Sequence, residues 1–337
     1  MGLFRKFAAN YFDDNRLNCT LSQNPRIPPF LRFNRQRSMP IMKLKNQRGY
    51  YMFPSIQSYE KFRSNGDDIS LNQDGVGVPL FYFECTNYNP LDVGIVSEAN
   101  LYKIHIFTIQ DSNVPPPFDH EDVIAIGKKF TIYQSLFCTI SREVNWKRIT
   151  YKLSFRGYED EPYLMVHRPE FRDLDTKIDG FVLRWHVAFN PVIDNDHYGL
   201  RLLYNDEKSL FDSMTKSKPN VDEKGRSVIT KPIPESQKMK ISVAHYTSED
   251  SDDIKIISYK MADVTIGENG SPNAFGIKNV PMLTKILSCE TLLIHRIEVD
   301  KDKEAGNKRW RYRNPAMNVM NPINSLSPMN PANNMTF

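Results

Sequence analysis

The 337 residues, 40% hydrophobic and 25% charged, suit one large or two ordinary soluble domains and are long enough to bury a full core. No apolar run reaches the about eighteen residues that a membrane-spanning helix needs, and no apolar stretch of a secretory signal stands at the start, so a cytoplasmic chain is expected. The four cysteines, Cys19, Cys85, Cys138 and Cys289, lie far apart without a C-x-x-C pair, so their spacing writes neither a zinc site nor a disulfide framework, and no metal or cofactor is expected.

On a helical wheel Leu3, Phe4, Phe7, Ala8, Tyr11 and Phe12 share one half of the circumference, with Arg5, Lys6, Ala9, Asn10 and Asp13 opposite. This predicts an amphipathic helix. Laid on a bilayer or in a partner groove, it would insert Leu3, Phe4, Phe7 and Tyr11 while Arg5 and Lys6 meet anionic groups. An ordinary surface helix docked on its own body has the same pattern. Lys6 stands where the myristoylation pattern asks for Ser or Thr, so that modification is not predicted.

Residues 15–59 carry eight positive side chains, Arg16, Arg26, Arg32, Arg35, Arg37, Lys43, Lys45 and Arg48, and no carboxylate. The chain's net charge is +4, so this basic segment is attached to a mildly acidic remainder. Its basic density is ordinary; what distinguishes it is the missing acid. A segment kept free of negative charge points to an anionic partner such as phospholipid, nucleic acid or an acidic protein surface. Three prolines in residues 24–33 forbid a continuous helix and favour an extended arm. Residues 1–59 are therefore read as a basic N-terminal arm, with Arg32, Arg35, Arg37, Lys43, Lys45 and Arg48 as anion-binding candidates.

The body, residues 60–313, alternates apolar and polar residues with the period of half-buried strands. Ile149, Tyr151, Leu153 and Phe155 form one face against Thr150, Lys152, Ser154 and Arg156. Phe181, Leu183, Trp185, Val187 and Phe189 oppose Arg184 and His186. Similar runs at 80–85, 101–109, 128–140, 163–167, 200–204, 239–246, 254–266 and 292–299 give about ten strand candidates with turn residues between them. Short helices are expected near 55–63, 207–216 and 281–287. Aromatic residues at 12% and only 15 glycines favour sheet as well. The predicted fold is mainly β: an antiparallel β-sandwich or barrel-like body with a few short helices. Residues 205–238, charged and punctuated by prolines, read as a mobile insertion or linker.

The run 308–313 alternates basic and aromatic residues. As a strand it would show Arg309, Arg311 and Arg313 on one face, a further anion contact, with Trp310 and Tyr312 on the other. Residues 314–337 have no charge and are rich in Asn, Pro and Met, the composition of a disordered tail that a partner orders.

Signals of catalysis are weak. Residues 194–199 open like a calcium loop, but Asn205 stands where a bidentate Glu is required. The Glu159-Asp160-Glu161 group with His167, and Gly75-Val76-Gly77, match no complete acid-base or nucleotide-binding pattern. The expectation is a non-enzymatic adaptor or scaffold, peripheral on a cytosolic membrane face through its arm, meeting proteins through body and tail. The alternative is a nucleic-acid-associated structural protein, such as a viral coat or matrix component, that forms an oligomer or lattice.

Overall fold

The computed structural model describes residues 17, 19–23, 27–44, 48–85, 100–145, 148–158, 161–168, 172–189, 196–203, 207–212, 242–248 and 258–313. In chain order these form helix α1 (Cys19–Ser22), a 3-10 turn (Pro29–Leu31), β1 (Arg35–Leu44), β2 (Gly49–Met52), α2 (Ile56–Ser64), β3 (Phe81–Cys85) and β4 (Asn100–Asp111). There follow β5 (His120–Ile126), β6 (Phe130–Asn145), β7 (Arg148–Phe155), β8 (Tyr163–His167), β9 (Leu174–Ile178) and β10 (Phe181–Phe189). The last elements are β11 (Asp196–Leu202), β12 (Ser242–Ser248), β13 (Ser258–Glu268) and α3 (Met282–Arg313). The chain forms two compact units, Met1–Thr291 and Leu292–Phe337.

In the first unit all strands join one antiparallel sheet in the order β4-β3-β2-β1-β13-β12-β11-β10-β9-β8-β7-β6-β5, and β4 pairs with β6 as well. That additional pairing closes twelve strands into a barrel and leaves β5 outside the ring, hydrogen-bonded to β6. Closure removes the edges that an open sheet would expose. The expected barrel-like body is thus present.

Alternation along the strands builds the core. Tyr151, Leu153 and Phe155 of β7 are buried while Ser154 is exposed, and Leu183 and Trp185 of β10 are fully buried. Phe181, placed with them by its parity, is instead exposed and packs its ring on Phe30 at 5.3 Å. Inside the first unit, the opening turns of α3 reach several separate parts of the ring. Thr284 hydrogen-bonds Glu268 of β13, Ser288 contacts the sulfur of Met39 on β1, the free Cys289 thiol lies beside the free Cys138 thiol of β6, and Glu290 meets Thr176 of β9 and Trp185 of β10. A short helical segment that touches such separated strands lies within the barrel. A second, smaller core of Met42, Phe53 and Phe62, with Tyr51, Tyr59 and Ile69 against it, holds α2 to the sheet. Ser55 caps α2 by accepting the Ser58 N–H at 3.0 Å.

The structure corrects four expectations. Residues 292–299 are helix, not strand, and the run 308–313 continues that helix, so the two-faced strand expected of Arg309, Trp310, Arg311, Tyr312 and Arg313 does not form. Apolar runs of this length do not separate a buried strand from a buried helix by period. The boundary drawn at residue 59 falls inside the barrel, because β1 and β2 lie before it. Residues 27–33 are not a projecting arm: Leu31 and Phe33 are buried, and the Phe33 carbonyl accepts hydrogen bonds from Ser22 at 2.8 Å and Gln23 at 2.8 Å. Finally, residues 207–212, the start of the expected mobile insertion, are fixed to the barrel, with the Leu210 N–H donating to Asp175 at 2.7 Å and Arg201 bonding Glu207 at 2.6 Å. Residues 213–238 lie outside the described ones.

In the second unit α3 continues, with Leu292, Leu293, Ile294 and His295 buried. Arg296 pairs with Asp300 at 2.8 Å and Lys301 with the buried Glu298 at 2.9 Å along the helix.

Candidate functional site

The strand period dictates the fate of the basic candidates. On β1 the inward parity runs Arg35, Arg37, Met39, Ile41, and on β13 it runs Ala262, Val264, Ile266, Glu268. Arg35 lies directly opposite Glu268 in the β1–β13 register. The two arginines therefore meet a buried carboxylate: Nε of Arg35 donates to Glu268 Oε1 at 2.7 Å, and Nε of Arg37 donates to the same oxygen at 2.9 Å. The second oxygen, Oε2, accepts from Thr284 of α3 at 2.9 Å. Arg37 also donates to the Pro54 carbonyl at 2.8 Å, and Arg35 bonds the carbonyls of Ser271 and Ala274. Two cations against one anion leave the cluster formally positive, and Nη2 of Arg37 is buried without a partner. The arrangement ties the first turn of α3 to the wall of the barrel.

The other candidates divide differently. Arg32 is half-buried and donates from Nε to the Ile27 carbonyl at 3.1 Å. Lys43, also half-buried, reaches the Gly49 carbonyl at 3.1 Å and lies over the Tyr50 ring at 5.3 Å, so it clasps the β1–β2 connection. Arg48, on that connection, is exposed. Leu3, Phe4, Arg5, Lys6, Phe7, Tyr11 and Lys45 lie outside the described residues, as do the side chains of Arg309, Arg311 and Arg313.

Deeper in the barrel, Glu290 is fully buried with its carboxylate between two donors, the Thr176 hydroxyl at 2.6 Å and the indole N–H of Trp185 at 2.9 Å. Burial pushes its pKa up to about 7, against the lowering effect of those two hydrogen bonds. Beside it, burial pushes the Cys289 thiol up well above its ordinary value. Glu290 was not singled out by sequence reading, and Cys289 was named only among the four scattered cysteines. Glu290 interrupts a run, Ile286 to Ile294, that holds no other charge, and a lone carboxylate in such a run is the signal that marks it.

On the outer wall, Asp175 and Asp173 organise a second network. Asp175, fully buried, takes two hydrogen bonds from Arg184 at 2.7 and 3.0 Å and one from the Leu210 N–H. Asp173 lies 3.0 Å from His186. Burial pushes the Asp173 pKa up, but the hydrogen bond and charge of His186, the Val187 N–H and the charge of Arg184 outweigh it and hold the carboxyl below its ordinary value. Another histidine, His105, sits between Glu84 at 3.0 Å and Glu121 at 2.9 Å, next to the Tyr82 ring. Among the described residues no group of three or more metal-ligating side chains has the geometry to hold an ion. Each of these clusters joins one element of the fold to another.

A family profile described as DIA1 matches residues 34–303, from the residue before β1 into α3. "Protein DIA1" of Saccharomyces cerevisiae is 32% identical over 339 residues, covering 96% of this chain and 96% of its own length. "Uncharacterized protein YOR385W" of the same yeast is 32% identical over 287 residues, covering 84% of this chain and 93% of its own. "Uncharacterized protein YNL165W", also from that yeast, is 27% identical over 307 residues, covering 81% and 72%. No solved structure matches.

Proposed function

The chain belongs to the DIA1 family, and we propose that it is a non-enzymatic adaptor or scaffold that meets an anionic surface, the cytosolic face of a membrane, through basic residues at its N-terminal end and on the β1–β2 connection. One observation carries the reading: the acid-free stretch 15–59 is divided by the fold. Arg35 and Arg37 are engaged with Glu268, whereas Arg48 is exposed on a connection that no carboxylate of residues 15–59 neutralises. The barrel interior is occupied by the chain's own Trp185, Glu290 and opening turns of α3, which favours a partner met on the outside. Arg5, Lys6 and Arg16 add sequence charge of the same sign.

Co-sedimentation with vesicles tests this. The full chain is expected to sediment with phosphatidylserine-containing vesicles, to remain in solution with phosphatidylcholine alone, and to be released as salt rises. The variant Arg5→Glu, Lys6→Glu, Arg48→Glu should lose that binding with an unchanged melting temperature. Equal binding to neutral vesicles, or binding to single-stranded RNA with none to anionic vesicles, would overturn the proposal.

A further inference from the structure

We propose that β5 is the seam of a homodimer, in which two copies of this chain pair their β5 strands antiparallel about a two-fold axis at Ile124. The strand stands outside the closed ring and hydrogen-bonds to β6 alone, so its other edge has no strand beside it among the described residues. A row of free backbone N–H and C=O groups on such an edge is a template for another strand. Soluble proteins blunt these edges with charge, proline or bulges, and β5 carries two register shifts, yet its centre still presents Val123-Ile124-Ala125-Ile126 without charge or proline. Val123 is 46% exposed, Ile124 37% and Ile126 76%, and Phe118 just before the strand is fully exposed. With Val114, these are half of the large apolar side chains found exposed among the described residues, which concentrates the unpartnered apolar surface on one hairpin.

The charge order selects the occupant. Residues 119–129 read D-H-E-D-V-I-A-I-G-K-K, acidic at the start and basic at the end. Two copies paired antiparallel about Ile124 set Val123 opposite Ala125 and bring the acidic start of each strand, Asp119 and Asp122, to the end where the Lys128-Lys129 turn of the other copy leads into β6. A parallel pair would set like charges against like. Asp119, Asp122, Lys128 and Lys129 are all exposed, whereas Glu121 is engaged by His105. The register with β6 shifts between His120 and Asp122 and again between Val123 and Ala125, so Glu121 and Ile124 are bulged out of the β5–β6 ladder. Because β6 holds one edge of β5, the seam admits one further strand. The assembly therefore stops at two copies and does not grow into a fibre.

Sedimentation velocity on the full chain over a concentration series tests the proposal, independently of any anionic partner. The wild type is expected to pass from the 39.2 kDa monomer to twice that mass. Ile124→Lys with Ile126→Lys should weaken dimerisation at least about tenfold with an unchanged melting temperature. Asp119→Lys with Asp122→Lys, and separately Lys128→Glu with Lys129→Glu, should each weaken it, and an equimolar mixture of those two variants should restore a dimer. A wild type that stays monomeric up to roughly 100 μM overturns the proposal. So does a dimer that the Ile variants leave intact, or a failure of the charge-reversed mixture to associate.

Discussion

Arg37 and Arg48 lie eleven positions apart in the same acid-free stretch, and their surroundings give them opposite consequences. Arg37 is buried against Glu268, so Arg37→Ala leaves a buried carboxylate with fewer donors and should cost about 3–5 kcal/mol in urea unfolding. Arg48→Ala, at an exposed position, should stay within about 0.5 kcal/mol of wild type. Glu290 makes a prediction in pH. Its folded pKa of about 7 lies above its unfolded value, so the native state holds the extra proton. Stability is therefore fully present below about pH 4.5 and declines as pH rises through 7, by about 3 kcal/mol for a shift of this size. Glu290→Gln keeps a partner for both Trp185 and Thr176 if the Thr hydroxyl turns to accept. It should remove this slope and make the protein more stable than wild type at pH 8. Unfolding midpoints at pH 5 and pH 8 for both proteins decide it; a variant equally destabilised at both would contradict the assignment. Asp173, held low chiefly by His186, slopes in the opposite sense and loses its contribution as pH falls below its ordinary carboxyl range.

At the level of elements, Gly267 shows how the segment before β1 is held. A Cβ on Gly267 would stand 2.4 Å from the Phe33 ring, so the ring lies on bare backbone of β13. Gly267→Ala should displace Phe33 and destabilise by about 1–3 kcal/mol. In a double-mutant cycle that cost should shrink when Phe33→Ala is present, and its persistence would mean the alanine acts elsewhere. β7, β10 and the apolar β8 were legible in sequence because most of their large apolar side chains fall on one parity and are buried there, Phe181 being the exception. β1 was not, since Pro40 and its arginines argue against a central strand. The Pro40 carbonyl accepts the Phe53 N–H at 3.1 Å, and in a strand a residue's N–H and C=O point the same way. The missing N–H thus falls on the β2 side, where β1 pairs only through Ile41 and Met42, and no ladder bond is lost. β9 was hidden for a related reason: its Asp175 is polar by identity but buried by virtue of Arg184, its register partner on β10, and the Leu210 N–H, 35 positions on. The same blindness to pairing made Arg35 and Arg37 resemble surface cations, because Glu268 comes beside them only when β1 and β13 adjoin.

Across the first unit as a whole, a closed ring whose interior holds the opening turns of α3 confines any partner to the outer wall, the turns and the ends of the chain. The anion-binding account follows from that confinement together with the acid-free N-terminal sequence. It is tested most directly by amide hydrogen exchange of the full chain with and without phosphatidylserine-containing vesicles. The account predicts slowed exchange in peptides spanning the first 34 residues and the β1–β2 connection around Arg48, with β9, β10 and the opening turns of α3 unchanged. Protection confined to β9, β10 or α3, with the N-terminal peptides and the β1–β2 connection unaltered, would contradict it.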